Sequence, residues 1–186
     1  MQNKPKSISD YRSSIVQIPN IITVEDAERL KTFALNDSIS GRHRRGSKNP
    51  SYVHASFYTC LIFPHNDIIY DILDPFWKEY YEHEQVDISF VEPYEIKSYV
   101  SGDSFGLHND ILLSYTEMTE RKVNLIIQLS DEKDYTGGDL LIGSVPCSRK
   151  FGTGIFFPAK FLHSVTEVTE GERFSLIGHA WGPISK

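Results

Sequence analysis

Tyr99-Val100-Ser101-Gly102-Asp103-Ser104-Phe105-Gly106-Leu107-His108-Asn109-Asp110 is the stretch that decides how this chain is read. A β-rich run from Tyr94 to Val100 ends at a glycine turn, and His108 and Asp110 then emerge two residues apart. In extended chain that spacing sets an imidazole and a carboxylate on one face. A ferrous ion favours such a face, with a second imidazole and positions left open. The His-x-Asp pattern says little by itself. Seven His and twelve Asp in 186 residues yield about half a pair by chance. The other pair, His65-Asn66-Asp67, follows Phe63-Pro64 and opens a helical pattern, where Asn66 or Asp67 reads as an ordinary N-cap.

Downstream of this stretch the chain reads as β. Ten of the twelve glycines lie at 102 or beyond. Short runs stand between turn signals: Val86–Val91, Tyr94–Val100, Lys122–Ser130, Gly138–Ile142, Gly154–Phe157, Leu162–Val168 and Arg173–Trp181. Upstream the pattern is helical. Ile15–Ile18 gives a short strand. A helix starts at Thr23, a capping residue with Asp26 three positions on, and Ala27, Leu30, Phe33 and Ala34 share a face. A second helical pattern runs from about Asp67 to Tyr81, with a kink or restart expected at Asp74-Pro75. Between the two helices, residues 36–51 show no periodicity and read as a loop. It gathers Arg42, Arg44, Arg45 and Lys48. Two helices followed by seven or eight short strands suggest a β-sandwich or jelly roll with helices on one face.

The length, 186 residues, suits one domain, since two halves would be too small to bury good cores. We expect a polar arm at 1–13, helical support and the basic loop at 14–85, and a jelly-roll core at 86–186. A net charge of −6 argues against a general nucleic-acid binder. No apolar run reaches the length of a membrane span, and the polar N-terminus has no signal-peptide core. A cytoplasmic protein is the expectation. Only Cys60 and Cys147 are present, with no CxxC, which excludes a thiolate zinc site and a disulfide framework. Any metal must be held by His and carboxylates.

His163 is the candidate second imidazole. It sits in Phe156-Phe157-Pro158-Ala159-Lys160-Phe161-Leu162-His163, entering a β-rich run. Ten residues on, Arg173 lies inside the apolar strand Phe174-Ser175-Leu176-Ile177. A buried guanidinium needs an anion, and a ligand carboxylate held in bidentate fashion would supply one.

With these residues in place, 94–181 resembles the catalytic core of the Fe(II)- and 2-oxoglutarate-dependent dioxygenases. It looks closest to their prolyl 4-hydroxylase-like branch. The matching features, in order, are Tyr99…Gly102, His108…Asp110, Arg121 leading Val123–Ser130, Gly137-Gly138, Gly152–Phe157, Leu162-His163 and Arg173. The resemblance implies a double-stranded β-helix, a cupin-like jelly roll in the mainly β class, with the N-terminal helices packed on its major sheet. It implies Fe(II) on His108, Asp110 and His163, and Arg173 on the distal carboxylate of 2-oxoglutarate. Tyr99 matches a tyrosine that reaches the cosubstrate, and Ser175 could add a hydrogen bond. Gln128 replaces the usual residue of a Tyr-Leu-Asn strand end, as a cosubstrate contact or as edge polarity. His179 stands where a Trp is expected, six after the basic residue, and reads as structural.

The implied reaction is hydroxylation of an unactivated C–H, with O2 as oxidant and ascorbate as an accessory reductant. A prolyl or other residue of a peptide or protein is the favoured substrate, and a free small molecule is the alternative. A catalytically silent metal-binding jelly roll is the non-enzyme alternative. The basic residues Arg42, Arg44, Arg45 and Lys48 are candidates for substrate contact on an otherwise acidic chain. Neither a nucleic acid nor a membrane is an expected partner, and the oligomeric state is open.

Overall fold

The computed structural model describes residues 14–36, 43–47, 55–62, 67–114 and 118–184. In chain order the elements are β1 (Val16–Ile18), α1 (Val24–Leu35), β2 (His43–Ser47), β3 (Ala55–Ile62), α2 (Ile69–Glu84), β4 (Phe90–Val91), β5 (Tyr94–Val100) and β6 (Ser104–His108). There follow β7 (Leu113–Ser114), β8 (Thr119–Gln128), β9 (Tyr135–Gly137), β10 (Leu140–Ile142), β11 (Val145–Pro146), β12 (Gly154–Pro158), β13 (His163–Val165) and β14 (Val168–Pro183). The strands pair in the order β1-β12-β8-β14-β5-β3-β6-β13-β10-β11, with β2 on β3, β4 and β9 on β14, and β7 on β8.

The sheet curls on itself. Its first six strands in this order form a floor, and β6, β13 and β10 fold over one face. An interior cluster records the closure: Phe57, Tyr99, Ile126 and Ile177 from the floor meet Leu140, Ile142 and Val165 from above. The helices cover the opposite face of the floor. There Leu30, Leu73, Trp77 and Tyr80 pack with Tyr94, Ile96, Leu125, Ile127 and Leu176. Two layers of strands with helices on the outside form the expected jelly roll.

The local rules hold at α1. Asp26 N–H donates to Thr23 Oγ1 at 3.1 Å, and the Thr23 hydroxyl donates back to the Asp26 carboxylate. At α2 the helix runs through Pro75 without ending, so the restart expected at Asp74-Pro75 does not occur. Leu73 before the proline and Trp77 and Tyr80 after it all pack in the cluster under the floor. Close approach of α2 depends on Gly178 of β14. A Cβ there would lie 2.8 Å from the Tyr94 ring and 2.9 Å from that of Trp77.

The stretch read as an aperiodic loop is also corrected in part. His43–Ser47 forms a strand paired antiparallel with β3. It is an edge strand rich in cations, held by backbone bonds and so without a hydrophobic period to reveal it. Arg42 and Lys48 lie outside the described residues. The site strands themselves were partly hidden: β6 has no apolar alternation, and β14 extends beyond the expected Arg173–Trp181 on both sides. Among the described residues no helix is long and apolar enough to cross a membrane.

Candidate active site

His108 ends β6 and His163 opens β13, and the two are direct cross-strand partners. Their rings lie 4.2 Å apart between centroids. Asp110, two residues past β6, turns its carboxylate toward both. Oδ2 is 3.1 Å from His163 Nε2, and Oδ1 is 3.6 Å from His108 Nε2. The three residues thus offer one ligand atom each within 4.8 Å of one another.

The protonation pattern follows from the hydrogen bonds. His108 Nδ1 is 2.7 Å from the Gly106 carbonyl, and His163 Nδ1 is 3.0 Å from that of Phe161. A carbonyl only accepts, so each Nδ1 carries a hydrogen and each neutral ring presents its lone pair at Nε2. Two lone pairs and a carboxylate then converge on one point, an arrangement that a cation between them relieves. The chemistry of this donor set, imidazole nitrogen and carboxylate oxygen without sulfur, fits a ferrous ion. Burial opposes ionisation of Asp110, but the close approach of His163 and the charge of Lys97 hold its carboxyl well below the usual range. Burial and the neighbouring His163 lower His108 below an ordinary imidazole. Aromatic rings shield the pair: Phe105 stacks on His108 at 3.8 Å and Phe157 sits edge-on to His163 at 5.0 Å.

A pocket joins these residues to the floor. It is lined by Lys97, Tyr99, Asn124, Ile126, Arg173, Ser175 and His179 among others. Arg173 is 1% exposed. Its Nη2 donates to Gln128 Oε1 at 3.0 Å, its Nη1 reaches Ser175 Oγ at 3.4 Å, and its Nε has no partner. The guanidinium also faces the Tyr99 ring at 5.4 Å. No carboxylate among the described residues forms an ion pair with it. A fully buried cation held only by neutral groups carries a large desolvation cost, and a ligand carboxylate fits that need. Gln128 is not an edge residue: β8 lies between β12 and β14, and the side chain is buried, with Nε2 donating to the Ser148 carbonyl at 3.0 Å.

Two lining residues went unmarked in the sequence. Lys97 shares the inward face of β5 with Glu95 and Tyr99. Its ammonium lies 3.3 Å from Glu95 and over the rings of Phe57 and Phe105. Burial works against this ammonium, but Glu95 outweighs it and raises its pKa. Period-two alternation from Tyr99 was the available signal. Asn124 had none: its side chain bridges Asp110 Oδ2, at 2.7 Å, and His179 Nδ1, at 2.9 Å. His179 is held to a pKa of about 4 by burial and by Arg121. In the basic strand β2, Arg45 is the register partner of Phe57 of β3.

The comparisons agree with this geometry. The family model described as the 2OG-Fe(II) oxygenase superfamily matches residues 94–181. A PKHD-type hydroxylase of Saccharophagus degradans is 28% identical over 174 residues, covering 87% of this chain and 75% of that protein. One from Prochlorococcus marinus is 36% identical over 81 residues, which span 41% of this chain and only 36% of the relative. The solved structure of a viral collagen prolyl hydroxylase from Paramecium Bursaria Chlorella virus-1, in its 2OG complex, superposes with a TM-score of 0.70. It is 16% identical, and the match covers 93% of this chain and 98% of that one, a likeness of fold. Over residues 94–181 the chain is similar to the 2OG-Fe(II) oxygenase superfamily, and the architecture around that match is the same jelly roll.

Proposed function

We propose that the chain is a single-domain Fe(II)- and 2-oxoglutarate-dependent dioxygenase that hydroxylates a prolyl or other residue of a peptide or protein. One observation carries this reading. A His-Asp-His set aimed at one point shares a pocket with a buried arginine that has no carboxylate partner among the described residues. His108, Asp110 and His163 hold the metal. Arg173 binds the distal carboxylate of 2-oxoglutarate, and Gln128 and Ser175 orient its guanidinium. The Tyr99 ring walls that subsite.

When bound, metal, cosubstrate and O2 supply the oxidising power that places a hydroxyl on an unactivated C–H. The chain's own residues bind, aim and shield. The Gly106 and Phe161 carbonyls hold Nδ1 of each imidazole, so that both Nε2 atoms are turned toward Asp110 and the metal point. Phe105 and Phe157 keep water from the donor atoms. The basic strand and its flanks, Arg42, Arg44, Arg45 and Lys48, attract an acidic substrate segment. Ascorbate serves as the accessory reductant.

A peptide substrate is favoured by the names of the relatives: one structural neighbour is a collagen prolyl hydroxylase, so that protein acts on a polypeptide. The test is succinate released from 2-oxoglutarate by the Fe(II)-loaded protein, with and without peptide pools, proline-rich peptides first. Stimulation by peptide, with a mass gain of one oxygen, is the expected result. Stimulation by free small molecules alone would move the substrate class. Binding of Fe(II) and 2-oxoglutarate without release of succinate would make the chain a catalytically silent metal-binding module.

A further inference from the structure

We infer that Asn124 and His179 form a positioning relay that fixes the rotation of the Asp110 carboxylate and thereby sets the metal affinity of the site. This rests on the reading that His108, Asp110 and His163 hold a divalent metal. The polarity of the relay is forced link by link. An ionised carboxylate only accepts, so the Asn124 amide must turn Nδ2 toward Asp110 Oδ2, 2.7 Å away. The amide oxygen then faces His179, so Nδ1 of that ring, at 2.9 Å, carries the hydrogen it donates. Neither orientation can reverse without leaving two donors or two acceptors facing each other.

The relay has a task that no backbone bond performs. Asp110 lies beyond the end of β6, in residues without ladder pairing, and its own N–H is tied to the Ala159 carbonyl at 3.0 Å. That bond holds the main chain but leaves the carboxylate free to turn, because the terminal torsion of Asp has a broad minimum. Asn124 and His179 belong to the rigid floor, as direct partners across β8 and β14. Both are buried, at 1% and 7% exposure. They carry the order of the floor to a carboxylate that stands on a loop. An amide suits the task better than a cation would: it orients the carboxylate while leaving its full charge for the metal.

The probe is Mn(II), titrated by electron paramagnetic resonance on the folded protein without 2-oxoglutarate. Outer partners of metal ligands typically change affinity ~10–100-fold, and Asn124→Ala should raise the Mn(II) dissociation constant within that range. His179→Phe keeps a ring and removes the donor, and should raise the constant by a smaller factor. His179→Asn restores a donor at the same reach and should bring the constant back toward wild type. A purely structural role would lower the thermal midpoint in these variants and leave the Mn(II) constant alone. Wild-type affinity in Asn124→Ala and His179→Phe, with affinity lost in Asp110→Ala, overturns the relay and spares the metal site. Wild-type affinity in Asp110→Ala overturns both. Should Asn124→Ala fail to fold, the contrast between His179→Phe and His179→Asn decides.

Discussion

The two faces of the floor are made by the same strands and obey different rules. Along β14, Phe174, Leu176 and Ala180 turn toward the helices, while Arg173, Ser175, Ile177 and His179 turn toward the pocket. Along β8, Leu125 and Ile127 alternate with Asn124 and Ile126, which line the pocket, and with Gln128, which accepts from Arg173. The helical face is closed and apolar, and its energy comes from area removed from water. The pocket face is just as buried but polar, and it is stable only where each group finds a partner. Several partners are internal, as in Lys97–Glu95 and Asn124–Asp110. At Arg173 Nε and at the paired imidazole lone pairs the described residues supply none. Those gaps mark where ligands belong.

If the faces divide labour in this way, changes on each should fail differently. The largest effect is expected on the pocket side. Asp110→Ala should abolish succinate formation per bound iron, because two neutral imidazoles hold Fe(II) weakly. Wild-type turnover in this variant, with loss in Asp67→Ala, would place the metal at the other His-x-Asp.

Next comes Arg173. Removing one partner of a buried charge pair costs ~2–5 kcal/mol, so Arg173→Ala should raise the apparent 2-oxoglutarate constant at least about tenfold. Arg173→Lys should be milder, since the charge stays and only the fork is lost. An unchanged constant would assign this role to another cation, such as Lys97.

On the helical face, Leu176→Ala should cost about 2–5 kcal/mol in urea unfolding and leave the 2-oxoglutarate constant of the folded protein unchanged. A shifted constant would show that the two faces are mechanically coupled.

Acid provides a subtler distinction. The pKa of His179 is about 4 when folded, against about 6.5 unfolded. The unfolded chain therefore takes up its proton first as pH falls. Stability from this group is complete above pH ~6.5, declines as pH drops toward ~4, and falls no further below that. At pH 5 the loss is about 2 kcal/mol. His179→Phe should flatten this part of the curve in metal-free protein, whereas Leu176→Ala should lower the whole curve and keep its slope. Equal slopes in wild type and His179→Phe would contradict a neutral His179.

The smallest effect is expected from the basic strand and its flanks. Reversing Arg42, Arg44, Arg45 and Lys48 to Glu should raise the KM for an acidic peptide several-fold at low salt, and less at high salt, where screening shortens the reach to ~3–8 Å. Substrate-free decarboxylation of 2-oxoglutarate should be unaffected. Unaltered peptide kinetics would make β2 a plain edge strand.

What could be read from the sequence was local. Thr23 announced its helix because a cap and its partner are three residues apart. Tyr94–Val100 was marked as a β-rich run ending at a glycine turn, and His108 and Asp110 by a spacing that any extended chain converts to a shared face. The ordered motifs from Tyr99 to Arg173 carried the family resemblance. Strand β2 escaped because an edge held by backbone bonds leaves no mark on its side chains. The tertiary structure alone decided that Lys97 is buried against Glu95 and that His163 lies beside His108. It also decided that Asn124, fourteen residues from Asp110 and fifty-five from His179, joins the two. The physical reason is that periodicity specifies which face a side chain takes. Its partner across the fold depends on strand order and register, which arise from pairing between distant segments.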